Sequence, residues 1–329
     1  MKITLKVLKT SGKIIALFLT SILLISCQQS FNSVPIEKKK SIALIVKMKY
    51  GDYWKTVKMG AEVAAKEFDV DLMFYAPDNE EDIEGQIQLV NNTIKTGMNA
   101  IVLASSNYER LGVAVDLVEG HGIPVIAIDS EVNSTKIKSF IGTDNYNAGK
   151  EAGKKLIDLL GPKGNIAVMS FVSGASNAEL REKGLFEVVS EYPEIKVAAR
   201  VYCNSDVDLA RSLTQQIVAS NSDLDCIIAL NAISSIGVAR AVKEMNLENQ
   251  IKVITFDSTP EELDLLQDGV IRATIIQNPF SMGYLGIKYA VETLDGKNIP
   301  QRIDTGTKII DLNNMFTPEN QKILFPFVK

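Results

Sequence analysis

The chain has 329 residues, 46% of them hydrophobic, enough to bury a large core and to form more than one lobe. Its 35 basic and 40 acidic side chains give a formal net charge of −5, which argues against nucleic acid as a partner because phosphate binding demands a basic patch. One histidine and three cysteines, with no pair at metal-ligand spacing, argue against a zinc site.

Lys2, Lys6, Lys9 and Lys13 precede the apolar run Ile14–Ile25. That run is too short for a stable membrane span and has the flanks of a signal peptide. It ends in Leu24-Ile25-Ser26-Cys27, which resembles the lipobox of bacterial lipoproteins and implies cleavage before Cys27 and a diacylglycerol thioether on its sulfur. The alternative is an ordinary secretory signal or an uncleaved anchor. Residues 1–26 are thus expected to be a signal peptide and residues 27–40, polar with Pro35 and three lysines, a lipidated tether. Without the four leader lysines about 31 basic groups face 40 acids, a net charge near −9. Cys203 and Cys226 sit at or in strand-like runs and are expected in the core, with a disulfide between them open in an exported protein.

From Ser41 onward, short apolar runs alternate with amphipathic helical patterns. The expected strands are Ile42–Met48, Leu72–Tyr75, Ala100–Ala104, Val125–Ile128, Ile137–Gly142, Ile166–Ser170, Val197–Tyr202, Cys226–Leu230, Val253–Phe256 and Ala273–Gln277. Runs apolar on both faces suit parallel strands covered on both sides. The alternation predicts an α/β protein with doubly wound parallel sheets. Between Val125–Ile128 and Ile137–Gly142 there is no helical pattern, so a first series of βα units closes near residue 143 and a second begins at Ile166. Two lobes are expected. The stretch Ile251–Phe280 delivers an acid, Asp257, and an amide, Gln277, to two strand ends, and ligands of open parallel sheets sit beyond such ends.

Several segments in this order resemble the type I periplasmic binding proteins, specifically the ribose/galactose-binding solute receptors of sugar ABC transporters. They are Ile42–Trp54, Ile123–Ser130, Phe140–Gly149, Leu180–Leu185, Ala229–Gly237, Phe256–Pro260 and Ala273–Phe280. The resemblance covers about residues 41–312. It implies two lobes joined by a three-crossing hinge, with residues 41–143 plus 278–306 in the N-terminal lobe and 144–277 plus 307–329 in the C-terminal lobe. The crossings would lie near Thr143, Gln277 and Thr305–Thr307, where Pro279 and Gly306 suit a turning backbone.

The same resemblance nominates ligand-binding residues. Tyr53 and Trp54 match aromatic positions that stack on a sugar ring, although either one would also fit a helix-start core position. Asp129 and Asp257 match carboxylates that accept from sugar hydroxyls, and each could instead cap the next helix. Asn231 and Gln277 match amide positions, with capping as the alternative for Asn231. Arg181, followed by Gly184, matches an arginine that spans ring oxygen and hydroxyl; the alternative is a surface arginine paired with Glu182 or Glu187. Three positions depart from the pattern. Ser130 stands where arginine follows the first acid, Lys47 where a small polar residue is usual, and Ser205 where an aromatic wall is expected. Lys47 either points into the cleft, where it restores the positive charge and favours an acidic ligand or simply offers three donors to hydroxyls, or is a solvated lysine, the commoner fate of that residue.

The expectation is a lipid-anchored extracytoplasmic receptor, monomeric, without cofactor or metal. It would capture a monosaccharide or similar small polar ligand and pass it to an ABC permease. A sensor presenting its closed form to a chemoreceptor or histidine kinase is the alternative output. The place of a helix-turn-helix is taken by the leader, and no nucleophile elbow or phosphate loop points to an enzyme.

Overall fold

A computed structural model describes residues 39–324; Cys27, the leader, most of the tether and residues 325–329 lie outside that range. Among the described residues, no helix is long and apolar enough to cross a membrane.

The first lobe begins β1 (Ser41–Ile45), α1 (Asp52–Glu67), β2 (Asp71–Tyr75), α2 (Ile83–Thr96), β3 (Ala100–Leu103), α3 (Tyr108–Gly120), β4 (Val125–Ile128), β5 (Ser139–Gly142). The chain then enters the second lobe with α4 (Asn145–Leu160), β6 (Lys163–Ser170), α5 (Ser176–Ser190), β7 (Glu194–Tyr202), α6 (Val207–Ser220) and β8 (Cys226–Ala229). That lobe continues with α7 (Ala232–Glu244), β9 (Lys252–Phe256), α8 (Pro260–Gln267) and β10 (Ile271–Ile276). It returns to the first lobe for α9 (Pro279–Leu294) and β11 (Arg302–Asp304), then crosses again to β12 (Lys308–Ile310) and α10 (Pro318–Leu324). The sheets run β11-β5-β4-β3-β1-β2 and β12-β10-β9-β8-β6-β7. The molecule is thus two α/β lobes joined by three crossings, as expected.

Strand β1 shows why the sequence reads this way. Ile42 and Leu44 pack into the layer that holds α1 and α9, while Ala43 and Ile45 pack into the layer with Val90, Leu111 and Val115. A strand covered on both faces needs apolar residues at every position, and each fully buried aliphatic side chain contributes roughly 1.5–3 kcal/mol. Helix starts follow their caps: Asp82, Asn107, Asp144 and Asp206 each accept an N–H from the first turn of α2, α3, α4 and α6.

Two helix pairs approach through reciprocal glycines. A Cβ on Gly60 of α1 would stand 2.0 Å from the Phe280 carbonyl oxygen, and one on Gly283 of α9 would stand 1.9 Å from that of Val57. In the second lobe, a Cβ on Gly149 of α4 would stand 2.1 Å from the Arg181 carbonyl oxygen, and one on Gly184 of α5 would stand 2.0 Å from that of Tyr146. In each lobe the helix that follows a crossing is locked onto the helix that follows the sheet's first strand.

Some details differ from expectation. Strand β1 ends at Ile45 rather than Met48, and β6 and β7 each begin three residues early. The three-residue strands β11 and β12 are too short to show periodicity. Strand β12 also runs antiparallel to β10, so the second sheet is not purely parallel. Cys203 and Cys226 are both free and buried. Burial pushes the Cys203 thiol up to about 11 and raises that of Cys226 further.

Candidate functional site

A cavity of about 130 Å³ lies between the lobes, and most of its walls are strand-end loops and helix starts. Lys47, Tyr53, Trp54, Asp129, Arg181, Asn231, Asp257 and Gln277 all line it. At roughly 10–15 Å³ per water-sized group, the space suits a molecule of about ten non-hydrogen atoms.

The two acids hold equivalent places. Asp129 follows β4 with φ of 62° and Asp257 follows β9 with φ of 81°. Each N–H donates to the carbonyl of the neighbouring strand, Ile141 at 3.0 Å and Ile275 at 2.9 Å. The left-handed backbone, tolerated by aspartate better than by most residues, turns each carboxylate toward the cleft.

Their partners differ. The Asp129 carboxylate lies 3.0 Å from the Lys47 ammonium and accepts from Tyr53 Oη at 2.7 Å and Asn177 Nδ2 at 3.2 Å. Lys47 is therefore neither solvated nor a free positive charge; it is buried and neutralised by Asp129. Gln86 fixes the start of its loop, donating from Nε2 to the Val46 and Ala104 carbonyls. Asp257 accepts from Gln277 Nε2 at 2.6 Å and the Ala232 N–H at 2.8 Å, with no ion pair among the described residues. Burial raises its carboxyl above the usual range, against the opposing pull of the Arg181 charge and these hydrogen bonds. Burial also pushes the Tyr53 phenol well up, reinforced by the charges of Asp129 and Asp257.

Arg181 is buried, not a surface residue: Nε donates to Asn145 Oδ1 at 2.9 Å and one terminal nitrogen donates to the Leu230 carbonyl at 2.6 Å. The guanidinium stacks 4.5 Å above the Phe256 ring. Glu182 and Glu187 pair elsewhere, with Arg200 and Lys150. The second terminal nitrogen, Nη2, is buried without a hydrogen-bond partner among the described residues.

The hinge is tied to this site. Thr143 donates to Gln277 Oε1 at 2.9 Å, and Asn145 Nδ2 donates to the Thr143 carbonyl. Gln277 thus links the first crossing to Asp257, and Asn145 links it to Arg181.

Asn231 caps α7 in a capping box, and it also lines the cavity. Trp54 also lines the cavity, with Nε1 donating to Glu80 Oε1 at 3.3 Å. Tyr53 is half-buried, packs against the first core and lines the cavity as well. Ser130 is the exception. It is buried behind the wall, 3.4 Å from Ser176 and Asn177, and does not line the cavity, because the turn at Asp129 carries the next side chain away.

Sequence reasoning missed Glu80, Phe171 and Asn177, all of which line the cavity. Asn177 precedes Arg181 by four residues, one helical turn, so the two share a face of α5. Phe171 follows β6 directly and was open to the strand-end rule. Glu80 sits in an acidic loop whose members no local pattern distinguishes.

A profile of the "Periplasmic binding protein domain" matches residues 42–298. The D-allose-binding periplasmic protein of Escherichia coli is 26% identical over 278 residues, covering 82% of this chain and 89% of that protein. The ribose import binding protein RbsB of Haemophilus influenzae is 27% identical, covering 82% and 91%. A carbohydrate transporter solute binding protein from Agrobacterium radiobacter, solved in complex with D-arabinose, superposes with a TM-score of 0.85 at 30% identity, covering 88% of this chain and 99% of that one. The chain belongs to the periplasmic binding protein family, in the type I form of the receptors that serve sugar ABC transporters.

Proposed function

We propose that the protein captures one neutral monosaccharide, or a polyol of similar size, in the interlobe cavity and delivers it to an ABC permease. The observation that carries this reading is the unpaired Nη2 of Arg181. A buried donor without an acceptor is costly, and a sugar oxygen is an acceptor of the right size. Around it, Asp129, Asp257, Asn231 and Gln277 offer acceptors and donors to several hydroxyls. Trp54 and Phe171 offer apolar surface to ring C–H groups.

Charge narrows the class. The cavity is lined by four acids (Asp52, Glu80, Asp129, Asp257) against two cations, Lys47 and Arg181, and Lys47 is already matched. A sugar acid would add like charge, so an uncharged ligand fits best. The dimensions of the cavity suit a pentose or hexose.

The relatives named above belong to import systems, and the same output is inferred here. Lipidation at Cys27, export and anchoring at the outer face of the cell membrane complete the proposal, resting on the lipobox pattern in the sequence.

Thermal shift against D-allose, D-ribose, D-arabinose, D-galactose, xylitol and gluconate tests the reading. Melting should rise with the logarithm of concentration for at least one neutral compound and not for gluconate. No shift with any neutral sugar or polyol, or a shift with gluconate alone, overturns it. Retention of the Cys27→Ser variant in the membrane fraction would contradict the anchor.

A further inference from the structure

We propose that Glu80 and Ser205 form a latch between the lobes, which sets how long a ligand is held without Ser205 touching it. This rests on the reading of the interlobe cavity as the ligand site.

Glu80 lies in the loop between β2 and α2 of the first lobe, and Ser205 in the turn between β7 and α6 of the second. Both are buried. Ser205 Oγ donates to Glu80 Oε2 at 2.6 Å, a short hydrogen bond to a carboxylate and so one of the stronger kinds. The line continues on both sides. Trp54 Nε1 donates to the other oxygen of Glu80, and Asn231 Nδ2 donates to Ser205 Oγ at 3.1 Å. Trp54 and Asn231 belong to opposite lobes and both line the cavity, whereas Ser205 does not. The hydroxyl therefore joins two walls of the site from behind.

The turn that presents Ser205 is strained. Asn204 and Ser205 both have φ of 52°, two consecutive non-glycine residues in the left-handed region. The turn is held by the Cys203 N–H on the Ser170 carbonyl and the Asn204 N–H on the Phe171 carbonyl at 2.7 Å. Phe171 itself lines the cavity, so the strained turn is anchored to the wall it serves.

Apart from the Thr143–Gln277 and Asp144–Asp304 bonds at the hinge, a further group of interlobe bonds among the described residues lies around Asp129 and the start of α5. Asn177 bridges Lys47 and Asp129, the Glu131 N–H donates to Ser176 Oγ at 2.8 Å, and the Tyr108 N–H donates to the Gly174 carbonyl at 2.8 Å. Glu80 and Ser205 join other loops of the two lobes. Opening the lobes must break this bond, so it contributes to the closed state alone.

Ser205→Gly tests the proposal, because glycine adopts a positive φ without strain and removes the hydroxyl together with its Cβ. Affinity for D-allose, D-ribose and D-arabinose should weaken by the same factor, roughly ten- to hundredfold, mainly through faster release. Unchanged affinity, or factors that differ widely between sugars, overturns the latch. Lobe separation supplies an independent readout, measured between nitroxide labels at the exposed positions Val113 and Val197. Without sugar, Ser205→Gly should shift the distances toward the open form; an unchanged distribution overturns the latch. If no sugar binds the unaltered protein, the receptor reading fails and the label distances alone decide. Glu80→Ala, which removes the other half of the bond, should reproduce the shift in distance, and its failure to do so counts against the pair.

Discussion

Asp129 and Asp257 are structural counterparts, each ending the fourth strand of its sheet in a left-handed turn, yet only Asp129 is paired with a cation. Burial raises the Asp257 carboxyl, opposed by the Arg181 charge, an amide and a backbone N–H. Asn tolerates the left-handed region almost as well as Asp. Asp257→Asn should therefore fold with stability equal to or above that of the parent at neutral pH, while sugar affinity falls at least tenfold. Chemical denaturation and calorimetric titration check the two halves. An Ala substitution would mix backbone strain with the loss of the acceptor.

Lys47 and Asp129 behave as one unit. Removing the ammonium leaves a buried carboxylate with only the Tyr53 and Asn177 bonds, and breaking a buried pair from one side costs about 3–5 kcal/mol. Lys47→Met should lower stability by that order. Adding Asp129→Asn should recover much of the loss, since the orphan charge is then gone. Denaturant midpoints of the two variants decide it.

Arg181 cannot be replaced by its nearest relative. Lysine reaches with one ammonium where the guanidinium supplies separate donors to Asn145, to Leu230 and to the cavity. Arg181→Lys should weaken sugar binding by about a hundredfold, on the order of the 1.5–3 kcal/mol of a charged hydrogen bond. A Kd within threefold of the parent's would contradict the assignment of Nη2 to the ligand.

Glu262 provides a pH test. It lies buried in the capping box of α8, and burial, then the charge of Asp257, raise its carboxyl well above the usual range. The folded state holds this proton more tightly than the unfolded chain. Its contribution to stability is therefore greatest in acid and is lost as pH rises from about 4.5 through the raised value. Glu262→Gln keeps an acceptor for the Thr259 N–H and should flatten that decline, so the variant gains on the parent between pH 5 and pH 7. Denaturation curves at both values show the sign directly.

Much of this was legible in the residues. Apolar runs buried on both faces marked β3, β4, β8 and β9 closely, because every position carries the same signal, whereas the run at β1 overshot the strand's end by three residues. Asp257 and Gln277 were visible as polar residues at strand ends. Roles that depend on a partner from another lobe were not visible. Lys47 has a solvated surface position as its commoner fate, and only Asp129 beside it sets its role, while Glu80 becomes distinctive only through Ser205, 125 positions away. Ser130 was misplaced for a local reason: the reversal of backbone at Asp129 turns the following side chain behind the wall.

The reciprocal glycines make a further demand that mutation can expose. Gly60→Ala would drive a methyl group into the Phe280 carbonyl, with backbone on both sides and no flexible side chain to yield. Forced separation of packed helices should cost about 3 kcal/mol. The melting temperature of Gly60→Ala checks it, with the exposed Gly120 as control, where a Cβ meets nothing within 4 Å.

These glycine contacts also order the assembly of the chain in time. The face of α1 that holds Gly60 is completed by α9, whose residues 279–294 emerge only after the whole second sheet but for β12 has been made. By contrast, α4 and α5 meet within a single uninterrupted stretch. As synthesis proceeds, α4 and α5 of the second lobe can pack together while the first lobe still lacks α9, and both lobes receive their last strands, β11 and β12, only at the end of the chain.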